Sequence, residues 1–128
     1  MRPTCSGPIL VVDDDQDIRE AVRDTLEDEG YRVVEASDGG EALAYLRRVG
    51  EPPGLILLDW NMAPMNGPQF MAEFARDPLF SRVRVILLTA DARVQEKATP
   101  GLYAGYLKKP VDLDKLFSLC EQYCSVAH

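Results

Sequence analysis

The sequence predicts an α/β protein with one doubly wound, five-stranded parallel sheet of the (βα)5 type. Short apolar runs alternate five times with longer segments whose apolar residues recur at helical spacing. The central run, residues 55–58, lies between turn-forming residues at 52–54 and 66–67, so it is too short for a helix. Uninterrupted apolar runs of this kind are typical of strands that helices cover on both faces.

Five strands are predicted from these apolar runs. They are residues 9–12, 31–36, 55–58, 83–88 and 103–107. The second run is less apolar than the other four, so we place its strand at an edge of the sheet. Asp59 directly follows the central run. A charged carboxylate is too costly inside a strand buried on both faces, so Asp59 is expected at the carboxyl end, where sites form in open α/β sheets.

Helices are predicted in the segments that follow the strands. They run over residues 15–29, from the loop at 37–40 to about 50, from about 66 to before 77, over 91–99 and from 112 onward. Gly30 is in the position of a C-cap and Asp112 in that of an N-cap. The apolar stripes are expected to bury Val49 and Leu113. The fourth segment has few apolar residues, and a Pro-Gly pair after residue 99 prevents its continuation.

Length and composition describe one globular domain, which we expect at residues 9–127 after a loose leader at 1–8. The formal net charge of -7 argues against direct binding to nucleic acid or to anionic membranes, since both need a basic surface. No apolar run approaches the roughly 20 residues of a membrane span, and the leader lacks the apolar segment of a signal peptide. We therefore expect a cytoplasmic protein.

Soft metal ligands and imidazole groups are few in this sequence. It contains three cysteines and one histidine, His128, which is the last residue. The odd number of cysteines agrees with a reducing compartment. Cys120 and Cys124, four residues apart on the last predicted helix, could belong to a metal site, but we interpret them as small apolar residues of that helix. Catalysis by imidazole is not expected.

The ends of four predicted strands carry matching chemistry: Asp13 and Asp14 after the first, Asp59 after the third, Thr89 after the fourth and Lys109 after the fifth. In a parallel sheet these residues share one edge. Two like charges about 4 Å apart repel by about 4 kcal/mol at an effective dielectric of 20. A proton or a divalent cation must offset this repulsion, and oxygen ligands suit Mg²⁺. Lys109 can supply positive charge to a bound anion.

A simpler interpretation is that the acids only begin a helix, where the helix dipole favours negative charge. It explains Asp15 and Asp17. It does not explain why Asp13, Asp14 and Asp59 coincide with a hydroxyl and a lysine at corresponding strand ends, so we favour a functional site.

Several motifs lie at these strand ends. They are Val11-Val12-Asp13-Asp14, Leu58-Asp59-Trp60-Asn61-Met62, Leu88-Thr89-Ala90, Tyr106-Leu107-Lys108-Lys109-Pro110 and, in the second loop and helix, Ser37-Asp38-Gly39-Gly40-Glu41-Ala42-Leu43. With these motifs the chain resembles a response-regulator receiver domain over about residues 8–127. The resemblance implies a flavodoxin-like sheet with the strand order 2-1-3-4-5. The chain differs from the family pattern at Ala63, where the family usually has proline.

The resemblance also implies a role for each residue at the sheet edge. Asp59 is the implied phosphoacceptor. Asp14, Asp59 and the backbone carbonyl of Asn61 would hold Mg²⁺, and Asp13 would contribute directly or through water. The implied donor is a sensor histidine kinase or a phosphotransfer protein, and the implied output is contact with a downstream protein partner by a monomer or weak dimer.

Three further residues would respond to the phosphoryl group. Thr89 would donate a hydrogen bond to a phosphoryl oxygen, and Lys109, which precedes a proline as in the family, would pair with it. Tyr106 would turn inward when Thr89 is drawn to the phosphate, although a packed strand tyrosine is an alternative. We further hypothesise that phosphorylation orders residues 91–102 and so forms the partner surface.

Three other functions are consistent with parts of the pattern. A phosphatase of the haloacid dehalogenase type could use Asp13-x-Asp15, but no second acidic pair follows the fourth strand. A flavodoxin-like cofactor binder would need a phosphate-binding loop rich in hydroxyl groups and glycine after the first strand. The four acids at that position would repel a phosphate, so we reject this function. A pseudo-receiver, which binds partners without being phosphorylated, remains the main alternative. We expect a phosphoacceptor and not a turnover enzyme.

Overall fold

The computed structural model describes residues 7–50, 52–60, 65, 67–80, 83–90, 104–109 and 111–124. Its centre is a parallel sheet of five strands in the order β2-β1-β3-β4-β5. The strands are β1 (Ile9–Val12), β2 (Val33–Ala36), β3 (Leu55–Asp59), β4 (Arg84–Thr89) and β5 (Gly105–Lys108). The predicted fold class and strand order are confirmed, and β2 is an edge strand as expected.

In the described part of the chain, four α-helices and one short 3-10 helix surround the sheet. They are α1 (Gln16–Asp28), α2 (Gly39–Val49), α3 (Gly67–Phe74), the 3-10 helix Pro78–Phe80 and the C-terminal helix α4 (Leu113–Cys124). The helix predicted at 91–99 and the hypothesis about residues 91–102 lie outside the described residues. Among the described helices, none has both the length and the hydrophobicity needed to cross a bilayer.

The sheet divides the core into two layers because successive strand residues point to opposite faces. In β1, Leu10 and Val12 pack with the apolar residues of α2 and α3, whereas Ile9 and Val11 pack with those of α1 and α4. Every residue of β1 and β3 is buried. With both faces of the sheet covered, its carboxyl edge is left for polar chemistry.

Local capping fixes where the helices near this edge begin. Asp15 is the N-cap of α1, and its Oδ1 accepts hydrogen bonds from the backbone N of Asp17 (3.0 Å) and Ile18 (3.2 Å). Asp38 caps α2 in the same way, accepting from the backbone N of Glu41 at 2.9 Å. For α1, this places the start of the helix three residues after Asp13, so the loop between them is short.

The structure corrects two of the predicted core residues and the start of one strand. Val49 is 39% exposed and Leu113 is 42% exposed. Each is a terminal residue of its helix, where the apolar stripe extends past the core. The strand β2 begins at Val33 and not at Tyr31. Tyr31 instead closes the end of α1, since its backbone N donates to the carbonyl of Leu26 at 3.1 Å.

The layer between the sheet and α4 contains two ionisable groups whose neutral forms are favoured by folding. Burial raises the pKa of the Cys120 thiol to about 12, and burial also raises the pKa of the Tyr31 hydroxyl to about 12. Each group therefore contributes stability below its ordinary pKa, and this contribution is lost as the pH rises toward the folded-state pKa. The protein should become less stable in mild alkali.

We expect the free energy of unfolding to fall by about 1 kcal/mol between about pH 8 and pH 10. Urea unfolding at the two pH values measures this change. Of the two groups, the Cys120 thiol has the lower ordinary pKa, so it contributes more to the loss in this interval. Cys120→Ala removes this thiol, and the variant should therefore lose less stability between the two pH values, whatever its stability at pH 8. Equal losses in the two proteins would contradict the assignment to Cys120.

Candidate functional site

The sheet register brings the predicted strand-end residues to one edge. Val12 pairs with Leu58 across β1 and β3, so the residues that follow, Asp13 and Asp59, stand side by side. Thr89 is the last residue of β4 and pairs with Lys108, which directly precedes Lys109. The strand order is decisive here, because β1 and β4 both flank β3. Acids, hydroxyl and lysine therefore come from adjacent strands.

The carboxylates of Asp13, Asp14 and Asp59 form a compact cluster. One oxygen from each lies within 4.8 Å of the other two. Asp13 is fully buried and Asp59 is 4% exposed, whereas Asp14 is exposed. The cluster therefore combines two buried carboxylates with one that is exposed to solvent.

Lys109 reaches into this cluster from the end of β5. Its Nζ lies 2.9 Å from Asp13 Oδ2 and 3.5 Å from Asp59 Oδ2. Burial alone would lower the pKa of Lys109, but the hydrogen bond to Asp13 and the charges of Asp13 and Asp59 outweigh it and raise the pKa above its ordinary value. The ammonium group therefore stays charged at neutral pH. The sequence had suggested a bound anion as its partner, and the structure pairs it with the acids.

The donor set of the cluster fits a hard divalent cation. All three ligand candidates are carboxylate oxygens, which Mg²⁺ prefers over nitrogen and sulfur. By formal charge, these three carboxylates and the Lys109 ammonium together carry a charge of -2, which a divalent cation would balance. Asn61, the fourth residue of the implied metal site, lies outside the described residues, as does Pro110.

Asp13 is held at four points of its main chain and side chain. Its backbone N donates to the carbonyl of Ala36 at 3.1 Å. Its Oδ1 accepts from the backbone N of Asp15 at 2.9 Å, and its Oδ2 accepts from Lys109. Its carbonyl accepts from Nη1 of Arg19 at 2.8 Å. These contacts hold Asp13, the first residue of the loop between β1 and α1, in position.

Sequence reasoning did not single out Arg19 or its partner Glu35. Arg19 lies on α1 and Glu35 on β2, and their side chains form an ion pair of 3.1 Å. A weak signal was present, because Glu35 is the one charged residue of an otherwise apolar strand. Helical and strand periodicity indicates which face a residue occupies but not how far a long side chain reaches, so this pair was missed.

Besides Lys109, two residues are implied in the response to phosphate, Thr89 on β4 and Tyr106 on β5. Thr89 is fully buried, and its carbonyl accepts a hydrogen bond from the backbone N of Lys109 at 2.7 Å. Tyr106 is half-buried and packs against the core layer of α2 and α3. Trp60, directly after Asp59, is also half-buried against this layer, and its backbone N donates to the carbonyl of Leu88 at 3.0 Å.

Two curated relatives illustrate the sequence similarity. The chain is 41% identical over 126 residues to an uncharacterized 14.6 kDa protein in the sodA1 3' region of Leptolyngbya boryana, covering 97% of this chain and 95% of that protein. It is 38% identical over 106 residues to the phosphate regulon transcriptional regulatory protein PhoB of Escherichia coli strain K12. That match covers 80% of this chain and 44% of PhoB, so the chain spans less than half of PhoB.

Solved structures with similar folds include two at 28% sequence identity. The Vibrio cholerae chemotaxis protein CheY4 superposes with a TM-score of 0.82, covering 91% of this chain and 98% of that one. The response regulator protein TrrA of Thermotoga maritima, solved in complex with Mg²⁺-BeF, superposes with a TM-score of 0.79 and the same coverage of 91% and 98%.

A family model agrees with these similarities. The model described as the response regulator receiver domain matches residues 9–121, which include every strand of the sheet and the whole carboxylate cluster. The strand order of the sheet is the one that the resemblance implied. The chain therefore belongs to the response regulator receiver domain family.

Proposed function

We propose that this chain is the phosphoacceptor of a two-component system, with the receiver domain at residues 9–127 and a leader at 1–8. It takes a phosphoryl group from a sensor histidine kinase or a phosphotransfer protein onto Asp59, and then presents a changed surface to a protein partner. The observation that carries the proposal is the convergence of three carboxylates and Lys109 at one sheet edge. We expect a monomer or weak dimer in the cytoplasm.

The proposed reaction is a single in-line transfer. An oxygen of the Asp59 carboxylate forms a bond to phosphorus while the bond from phosphorus to the donor nitrogen breaks, and the electron pair stays on that imidazole nitrogen. Asp59 lies at the end of the fully buried central strand β3, which would hold its carboxylate in position for the attack. The Lys109 ammonium, 3.5 Å from Asp59 Oδ2, offsets charge on the phosphoryl oxygens.

Mg²⁺ is the proposed cofactor, held by Asp14, Asp59 and the carbonyl of Asn61. When bound, it neutralises charge on the oxygens of the transferring group. Both oxygens of Asp13 already accept hydrogen bonds, one from Asp15 and one from Lys109, which favours a contribution of Asp13 through water. The complex of TrrA with Mg²⁺-BeF supports a magnesium-dependent site in a protein of similar fold.

The proposed output passes through Thr89 and Tyr106. The phosphoryl group adds about -1.5 to -2 charges beside the end of β4, and the Thr89 hydroxyl donates a hydrogen bond to one of its oxygens. The half-buried Tyr106 then turns inward. The new charge interacts differently with the two arrangements of these side chains, so it shifts the balance between them.

Incubation with acetyl phosphate tests this function without a cognate kinase. We expect intact-mass measurement to find one added phosphoryl group per chain in Mg²⁺ and none in EDTA, because the acids must be neutralised before an anionic donor can approach. An adduct formed equally well in EDTA would contradict the metal-dependent site. A pseudo-receiver would form no adduct under either condition, and a phosphatase would release phosphate steadily from an ester.

A further inference from the structure

Arg19 joins three parts of the molecule beside the acidic cluster. It lies on α1, its Nε donates to Glu35 Oε1 on β2 at 3.1 Å, and its Nη1 donates to the carbonyl of Asp13 at 2.8 Å. The Arg19 side chain is only 16% exposed. A guanidinium group is planar and rigid, so two donors engaged at once fix its position. The Asp13 carbonyl is therefore held by an anchored group.

This anchor determines how the next residue leaves the sheet. The peptide bond between Asp13 and Asp14 is planar, so fixing the Asp13 carbonyl also fixes the direction to the Asp14 Cα. The Asp14 side chain is exposed, whereas the Asp13 side chain is held by Lys109 and by the backbone of Asp15. The orientation of this peptide thus decides whether the Asp14 carboxylate meets those of Asp13 and Asp59.

The positive charge of Arg19 is paired with the carboxylate of Glu35. Glu35 accepts from Arg19 through Oε1 and from Arg23 through Oε2, the latter at 2.7 Å. An unpaired cation beside the acidic cluster would compete with a metal ion for the carboxylates. Because Glu35 pairs with the guanidinium group, Arg19 binds the Asp13 carbonyl as part of an ion pair and not as an unpaired cation.

We propose that Arg19 is a positioning residue for the divalent cation: it holds the Asp13–Asp14 peptide in the orientation that lets the Asp14 carboxylate complete the metal site. This inference rests on the proposed magnesium-dependent function and adds to it a residue that touches neither metal nor phosphate. Partners that orient metal ligands in this way commonly change metal affinity by about tenfold or more.

Arg23 provides a matched control. It lies one turn further along α1, binds the same Glu35 carboxylate and carries the same charge, and its described hydrogen bonds go to Glu35 and Asp24. Arg19→Gln and Arg23→Gln each remove one positive charge near an acidic site. By electrostatics alone, both should bind Mg²⁺ as tightly as the parent protein or more tightly. Weaker binding in Arg19→Gln therefore has to come from geometry.

Mg²⁺ titration followed by the fluorescence of Trp60, the single tryptophan, tests the proposal. We expect the Kd for Mg²⁺ to rise about tenfold in Arg19→Gln and to stay unchanged or fall in Arg23→Gln. Thermal unfolding in EDTA shows that each variant is folded at the titration temperature. A purely structural role of Arg19 would lower the unfolding midpoint but leave the Kd of the folded protein unchanged.

The outcomes separate this inference from the function on which it rests. An unchanged or lower Kd in Arg19→Gln overturns the inference, as does an equal rise in both variants, which would reflect a general loosening of α1 against β2. If the parent protein itself shows no Mg²⁺ response by fluorescence and no stabilisation by Mg²⁺, the proposed function fails and the role of Arg19 fails with it.

Discussion

Asp59→Asn should abolish phosphorylation by acetyl phosphate in the presence of Mg²⁺. The carboxamide is neutral and is a poor nucleophile, so no acyl phosphate can form at the end of β3. Asp13 is not expected to replace it, because Asp13 is fully buried and both of its carboxylate oxygens already accept hydrogen bonds. Intact-mass measurement after incubation should therefore detect no adduct, where the parent protein gains one phosphoryl group per chain.

Two comparisons make this loss specific. Asp17→Asn changes an exposed acid in the first turn of α1 in the same way and should keep the parent yield. Asp59→Asn should also raise the midpoint of thermal unfolding in EDTA, because it removes one of three close carboxylates and so reduces their repulsion. An undiminished adduct in a folded Asp59→Asn protein would mean that another residue is the phosphoacceptor.

Lys109→Met should lower the free energy of unfolding by about 3 kcal/mol at neutral pH in EDTA. The methionine keeps much of the lysine stem but removes the ammonium group that lies 2.9 Å from Asp13 and 3.5 Å from Asp59. These two carboxylates, which are 0% and 4% exposed, then lose the ammonium group that pairs with them. Urea unfolding measures the loss, and added Mg²⁺ should recover part of it, stabilising this variant more than the parent protein.

Lys108→Met is the matched control for this experiment. Lys108 precedes Lys109 and has the same charge, but its side chain is exposed. Substitutions of this kind usually change stability by no more than about 0.5 kcal/mol. If Lys109→Met proved as stable as Lys108→Met in EDTA, the ion pairs of Lys109 would not be what offsets the repulsion among the acids.

The location of the site could be predicted because it depends on strand ends, which a sequence marks clearly. The apolar runs that became β1 and β3 end immediately before Asp13 and at Asp59, and parallel strands place their carboxyl ends at one edge. Side-by-side placement of these two acids needed one further fact, that β1 and β3 are neighbours. Hydrophobic periodicity does not give the order of the strands in the sheet. The family resemblance supplied that order.

The ion pairs between α1 and β2 could not be predicted, for a physical reason. Arg19, Arg23 and Glu35 were each consistent with an ordinary solvated surface. Their pairing depends on how closely α1 packs against β2 and on side-chain rotamers that span several ångströms. The same applies to Val49 and Leu113, whose exposure depends on where each helix ends relative to the sheet. Hydrophobic spacing alone gives neither quantity.

The contact between Lys109 and Asp13 joins residues that are 96 positions apart in the chain. During synthesis, the acids at the ends of β1 and β3 emerge from the ribosome long before the lysine that partly neutralises them. A nascent chain that has formed only its first three strands therefore holds a repulsive cluster of acids without this counter-charge. The counter-charge reaches the acids only when β5, which Lys109 directly follows, has docked beside β4.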